Sequence, residues 1–156
     1  MNIYSLLSEE TVLPQLKVQD KDELLNKLID SLSEEMNREQ LESVREAVFE
    51  RENIMSTGVG KGLAIPHGKA KGIEDSYASF AILSEPVDYE SIDDKPVQLV
   101  FLLAGPESKN SIHIKLLSRI SRLMNSSSFR NQLMDCDTSE EILHTFRQEE
   151  ERYFEN

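Results

Sequence analysis

The segment STGVGKGLAIPHGKAKG, residues 56–72, holds five of the chain's six glycines and places His67 between Pro66 and Gly68. Proline stiffens the backbone on one side of the histidine and glycine frees it on the other. Such an arrangement presents an imidazole at a defined angle with open approach, and imidazole is both a nucleophile and a titratable group near neutral pH. The surrounding charge points the same way. Residues 53–73 contain no Asp or Glu and three lysines, Lys61, Lys69 and Lys71, in a chain of formal net charge −12. A basic, glycine-rich backbone around a histidine suits an anion, most directly a phosphoryl group meeting the imidazole. The competing reading is a loop histidine that only hydrogen-bonds a neighbour.

Two further histidines and one cysteine carry titratable chemistry. His113 falls in the first turn of a helix expected to begin at Asn110 or Ser111, with Leu117, Ile120 and Met124 at +4, +7 and +11. It therefore borders a buried face. A helix N-terminus disfavours imidazolium, so a neutral, donating ring is expected, against the alternative of a boundary histidine satisfied by its neighbours. His144 lies off the Ile142, Leu143 and Phe146 stripe and reads as solvated. Cys136 sits in LMDCDTSE beside acids that raise a thiol's pKa, and reads as structural. A metal centre at His67 and His113 lacks a helical histidine pair and a third ligand, so no metal is expected.

The elements that position these groups alternate between helix and strand. An extended stretch at 12–18 contains Pro14, which suits an edge. Asp20 with Glu23 opens a helix lined by Leu24, Leu25, Leu28, Ile29 and Leu32. Asn37 with Gln40 opens the next, with Leu41, Val44, Ala47 and Val48 facing inward. Arg51 lies at +3 from Val48 and +7 from Val44, on the inward side of that helix's C-terminal end. YASFAIL (77–83) and VQLVFLLA (97–104) read as buried strands separated by an acidic, turn-rich stretch. After Pro106 comes the His113 helix, with Ile112, Leu116, Leu117, Ile120, Leu123 and Met124 expected on its buried side. A short turn at 129–134 follows, and Thr138 with Glu141 opens the last helix. Helices separating a small apolar sheet imply a layered, single-domain α/β fold over residues 1–150, with 151–156 a frayed tail.

Composition excludes several classes. A broad basic face is missing, so neither nucleic acid nor an anionic membrane surface is an expected partner. No apolar run approaches the ~20 residues of a membrane span. The N-terminus lacks the basic start of a secretory signal, and a single cysteine cannot form an internal disulfide, which together favour the cytoplasm.

The segment RENIMSTGVGKGLAIPHGK, from Arg51 to Lys69, resembles the phosphorylation-site motif of enzyme IIA domains of the bacterial phosphotransferase system, of the fructose/mannitol and nitrogen-regulatory type. HIKLLSRISRLM, DYESIDDKPVQLVFLLAGPE and TSEEIL resemble the same family's later course, so the likeness spans essentially the whole chain. The resemblance implies a mixed β-sheet flanked by helices. It implies that His67 accepts a phosphoryl group from the histidine phosphocarrier protein, on Nε2 by family expectation. It also implies that His113 assists by hydrogen bonding and that Arg51 offers its planar fork to the phosphoryl oxygens. Ser56, Thr57 and the backbone at Gly68 are candidate further contacts. No cofactor is implied, because the phosphoryl group arrives already activated. The implied acceptor is a cysteine on a IIB domain in sugar uptake. In the alternative nitrogen-regulatory reading, the phosphorylation state of the same site switches binding to a target protein. Neither a IIB nor a membrane IIC domain is recognised in the chain.

Overall fold

The continuous apolar run at 97–104 becomes the central strand of a six-stranded mixed sheet in the computed structural model, which describes residues 2–154. The strands are β1 (Val12–Leu16), β2 (Gly58–Gly60), β3 (Leu63–Ala64), β4 (His67–Ala70), β5 (Tyr77–Val87) and β6 (Val97–Pro106). β5 runs antiparallel to β6 along one side, and β1 lies parallel to β5 at the sheet edge, where Pro14 withholds no needed N–H. β3 and then β4 pair in parallel with β6, and β2 pairs antiparallel with β3.

Side chains of β6 alternate between two cores, as strand geometry requires. Val100, Leu102 and Ala104 pack under α1 (Lys21–Asp30) and α2 (Arg38–Ile54). Leu99, Phe101 and Leu103 pack under α3 (Asn110–Met124), α4 (Ser127–Met134) and α5 (Ser139–Phe154). The result is the layered α/β fold with helices on both faces. Phe146 of α5 anchors the second core, with ring centroids 5.0, 5.7 and 5.2 Å from Phe80, Phe101 and Phe129. Truncating such a fully buried ring to alanine costs about 3–5 kcal/mol.

Capping follows the sequence closely. Asn37 and Gln40 form a reciprocal capping box at 2.8 and 2.9 Å, and Thr138 accepts the Glu141 N–H. Asp20 caps α1 by accepting the Glu23 N–H at 2.8 Å, but the Glu23 carboxylate returns to the N–H of Gln19 rather than that of Asp20.

Four expectations change. Residues 56–72 are not one loop: they fold into β2, β3 and β4 around a left-handed turn at Gly60, Lys61 and Gly62. The expected turn at 129–134 belongs to α4, because Ser126 accepts the Phe129 N–H as an N-cap and Phe129 and Leu133 form a buried i, i+4 pair. Ile112 is exposed, and His113 takes the inward position at the start of α3. Finally, α5 continues through the first four residues of the expected tail. The Arg119 guanidinium sits 3.7 Å from the Phe154 ring centre, and the buried Glu150 carboxylate accepts from Arg119 and from the N–H groups of Ile3 and Tyr4. Residues 155 and 156 lie outside the described residues.

Candidate active site

His67 is the first residue of β4, paired with Leu103 of β6. Ile65 and Pro66 separate β3 from β4 along β6, and the Pro66 carbonyl still accepts the Leu103 N–H at 3.0 Å. The histidine is thus held by a strand rather than by a free loop. Gly68 explains how β4 fits there. A Cβ at this position would lie 2.8 Å from backbone atoms of Ala47 and Val48, so only glycine lets the strand lie directly on α2. That close approach gives Gly68 a packing role distinct from the phosphoryl contact anticipated for its backbone.

The His67 ring is half-buried, and its Nδ1 lies 2.9 Å from the Ile65 carbonyl oxygen. A carbonyl only accepts, so Nδ1 carries the proton and Nε2 holds the free lone pair. Burial pulls the His67 pKa below its ordinary value of 6.5. The Ile65 carbonyl opposes this, the Arg51 charge adds to it, and the Glu52 charge opposes it. The neutral, nucleophilic form therefore dominates at neutral pH.

His113 reaches the same place from the first turn of α3. The two imidazole centroids are 5.9 Å apart, with ring planes inclined at 52°. His113 is only 3% exposed, and neither ring nitrogen has a hydrogen-bond partner among the described residues. Its pKa falls to about 4, mainly from burial and then from repulsion by His67 and Lys69. A neutral imidazole must keep one N–H, and leaving a buried donor unmade costs about 1–3 kcal/mol. Such a group calls for an explanation, and an oxyanion held between the two rings would supply one. Gly105 makes the arrangement possible: a Cβ there would lie 2.7 Å from His113 Nδ1. This sixth glycine, outside the glycine-rich segment, had no local signal beyond its place at a strand end before Pro106.

Arg51 stands in the last turn of α2, where a cation also complements the helix dipole. One guanidinium nitrogen, Nη1, donates to the Met55 carbonyl at 2.9 Å. Two cavities, of about 1000 and 770 Å³, flank the site, and Arg51, His67 and Leu117 line both. Lys69 lines the second cavity with His113 and donates to Asn110 Oδ1 at 2.7 Å, whereas Lys61 lines neither.

The two hydroxyls singled out in the sequence are already committed. Thr57 is buried, and both its N–H and its Oγ1 donate to the Glu52 carboxylate. Ser56 Oγ donates to the Tyr89 carbonyl at 3.0 Å and accepts the Gly58 N–H at 3.1 Å. Lys21 and Tyr89 were not anticipated here, and Glu52, although part of the Arg-Glu pair in the motif, had no role assigned. The available signal was the helix spacing, since Glu52 continues the inward stripe of Leu41, Val44 and Val48. Away from the site, His144 is exposed on α5. Cys136 is buried, with its thiol pKa pushed up first by burial and further by neighbouring acids.

Comparison with known proteins matches residues 5–149 to the family described as "Phosphoenolpyruvate-dependent sugar phosphotransferase system, EIIA 2". A nitrogen regulatory protein of Bradyrhizobium diazoefficiens is 40% identical over 133 residues, covering 85% of this chain and 86% of the relative. The fructose-specific EIIABC component of Bacillus subtilis is 31% identical over 148 residues, covering 95% of this chain but 23% of that longer protein. Among solved structures, the nitrogen regulatory protein IIA-Ntr of Neisseria meningitidis superposes with a TM-score of 0.84 at 30% identity, covering 92% of this chain and 98% of that one. The IIA mannitol structure of Escherichia coli, at 21% identity and a TM-score of 0.74 over 90% of this chain and 98% of that one, shares the fold.

Proposed function

The chain belongs to the EIIA 2 family of the phosphoenolpyruvate-dependent sugar phosphotransferase system, and from that premise we propose that it carries a phosphoryl group on His67 Nε2, received from the histidine phosphocarrier protein and passed to a cysteine of a IIB domain. The observation that carries this reading is the pairing of two unlike imidazoles. One has Nδ1 fixed by Ile65 and Nε2 free, and the other is buried with no partner for its N–H.

In the proposed transfer, the Nε2 lone pair attacks phosphorus in line. The P–N bond of the donor phosphohistidine breaks, and its electron pair returns to the donor ring. His67 keeps its Nδ1 proton on the Ile65 carbonyl, so no proton has to cross the interface. Phosphoryl transfer is chiefly positioning and charge stabilisation. Arg51 supplies a planar pair of donors, and His113 gives its N–H to a phosphoryl oxygen. Onward transfer reverses the geometry, with a thiolate as nucleophile and His67 as leaving group. The site must therefore hold the phosphoryl group without making it a thermodynamic trap.

A protein partner fits the surface around the histidine. Ile54, Met55, Val59, Ile92 and Ile114 line the two cavities yet are exposed, Ile54 and Ile92 by 80% and 82%. Such a concentration of apolar side chains marks an interaction site. A second reading, favoured by the likeness to nitrogen regulatory proteins over most of both chains, keeps the chemistry at His67 and changes the output. There, a phosphoryl dianion set among these apolar residues would switch binding of a target protein. Single-turnover discharge separates the two. Loss of the phosphoryl group to a cognate IIB cysteine supports the carrier. Stable phosphohistidine in the presence of that cysteine, with a target bound in one phosphorylation state only, supports the switch.

A further inference from the structure

The residue after Arg51 is an acid with the most fully bonded carboxylate near the site. Glu52 Oε2 accepts the Thr57 N–H at 2.8 Å and pairs with Lys21 Nζ at 3.0 Å. Its Oε1 accepts from Thr57 Oγ1 and, at 3.1 Å, from the Tyr89 hydroxyl. The donors come from three separate parts of the chain: the first residue of α1, the turn between α2 and β2, and the connection between β5 and β6. Lys21 Nζ also lies 4.4 Å from the centre of the Tyr89 ring, a cation–π contact on a buried tyrosine. A buried carboxylate with this many partners is costly to build unless every partner is in place.

What the cluster holds is the turn from Met55 to Thr57. That turn has a second attachment: the Met55 carbonyl accepts from Arg51 Nη1 at 2.9 Å. Adjacent residues of one helix thus hold the same turn, Glu52 through Thr57 and Arg51 through Met55. The turn also walls the larger cavity beside His67, and Lys21, Glu52 and Thr57 line that cavity too. Since Arg51 is anchored on a carbonyl whose position Glu52 fixes, movement of the turn moves the guanidinium relative to His67.

We propose that Glu52 is a positioning residue for phosphoryl transfer at His67: gripped by Lys21, Thr57 and Tyr89, it fixes the Met55–Thr57 turn on which the Arg51 guanidinium is aimed. The inference rests on the phosphoryl-carrier reading above and adds to it a role for a group that does not touch the phosphoryl itself. The negative charge of Glu52 also raises the proton affinity of His67, so Glu52→Gln changes charge and turn together, whereas substitutions at Thr57 leave the charge in place and report the turn alone through the transfer rate.

The test uses the intact chain, with phosphoenolpyruvate, enzyme I and the phosphocarrier protein as donor system. It compares wild type with Glu52→Gln, Thr57→Val and Thr57→Ser. Rates are expressed per folded molecule, and the His67 titration is followed by NMR. Thr57→Val removes one Glu52 donor and Thr57→Ser restores it. The expected result is transfer slowed roughly tenfold to a hundredfold in Glu52→Gln and less in Thr57→Val, since misplacement of a positioning group by about 1 Å has costs of that order. Thr57→Ser should return to the wild-type rate, and Glu52→Gln should shift the His67 titration to lower pH. If Glu52→Gln fails to fold, the valine and serine pair at Thr57 decides alone. Wild-type rates in the valine variant and in any folded glutamine variant overturn the inference while leaving the carrier reading standing. Absence of phosphoryl acceptance by wild type overturns both.

Discussion

The end of α2 and the start of α3 both deliver polar side chains to His67, and they do so in opposite states. At the end of α2, every lone pair that matters is used: Glu52 meets Lys21, Thr57 and Tyr89, and Ser56 spans Tyr89 and Gly58. At the start of α3, His113 is buried with neither ring nitrogen bonded. Burial alone does not distinguish the two regions. Saturation does. A satisfied buried network specifies the shape of the wall, whereas an unsatisfied buried donor keeps hydrogen-bonding capacity to spare. The hydroxyls of Ser56 and Thr57 belong to the first class, although their residue types suited the second.

Substitutions on either side sharpen this contrast. Short of replacing His67, the largest effect, equal in range to that of Glu52→Gln, is expected from Arg51→Lys, at the residue that lines both cavities. An ammonium cannot copy the bidentate fork, and transfer should slow between about tenfold and a hundredfold in single-turnover assays, with the fold unchanged by circular dichroism. Gly105→Ala should come next. Its Cβ would meet His113 Nδ1 at 2.7 Å, so it should cost about 1–3 kcal/mol in denaturant unfolding. It should also slow onward transfer by displacing the ring; unchanged transfer would remove His113 from the account.

Proton linkage tests the unsatisfied side directly. The folded-state pKa of His113, about 4, lies below its ordinary 6.5. Between those values the unfolded chain binds more protons, so the contribution of the neutral ring is complete above pH 6.5 and is lost as pH falls toward 4. Wild type should therefore lose more stability than His113→Gln across that window, as read from melting temperatures. Phosphorylation of His67 should raise the His113 pKa, because a dianion beside the ring favours its protonation. The smallest effect is expected on the saturated side. Ser56→Ala should cost about 0.5–1.5 kcal/mol of stability for its lost hydrogen bonds and slow transfer less than Thr57→Val, because Glu52 still holds the turn. A loss as large as that of Arg51→Lys would show that the Ser56 hydroxyl takes part in chemistry after all.

The sequence was most legible where the signal was local. The capping box of Asn37 and Gln40, the edge position of Pro14 and the double-sided burial of 97–104 follow from short-range chemistry and strand periodicity. Helix spacing placed Arg51 on an inward side and His113 at a buried border, and the family resemblance implied that both meet His67. What stayed hidden depended on contacts distant in sequence. Gly68 is required by α2, and Gly105 by a ring eight residues further on. The strands within 56–72 form only because β6 offers its edge. The Glu52 cluster joins Lys21 to Tyr89, 68 positions apart in the sequence. Residues 129–134 read as a turn because α4 is only eight residues long and its cap, Ser126, lies before that stretch.

The most direct measurement is intact mass after incubation with phosphoenolpyruvate, enzyme I and the histidine phosphocarrier protein, on wild type and on His67→Ala. The account predicts one acid-labile phosphoryl adduct on wild type and none on the variant. A wild type that stays unmodified beside a demonstrably active donor pair, or a variant that is modified as fully as wild type, would contradict it.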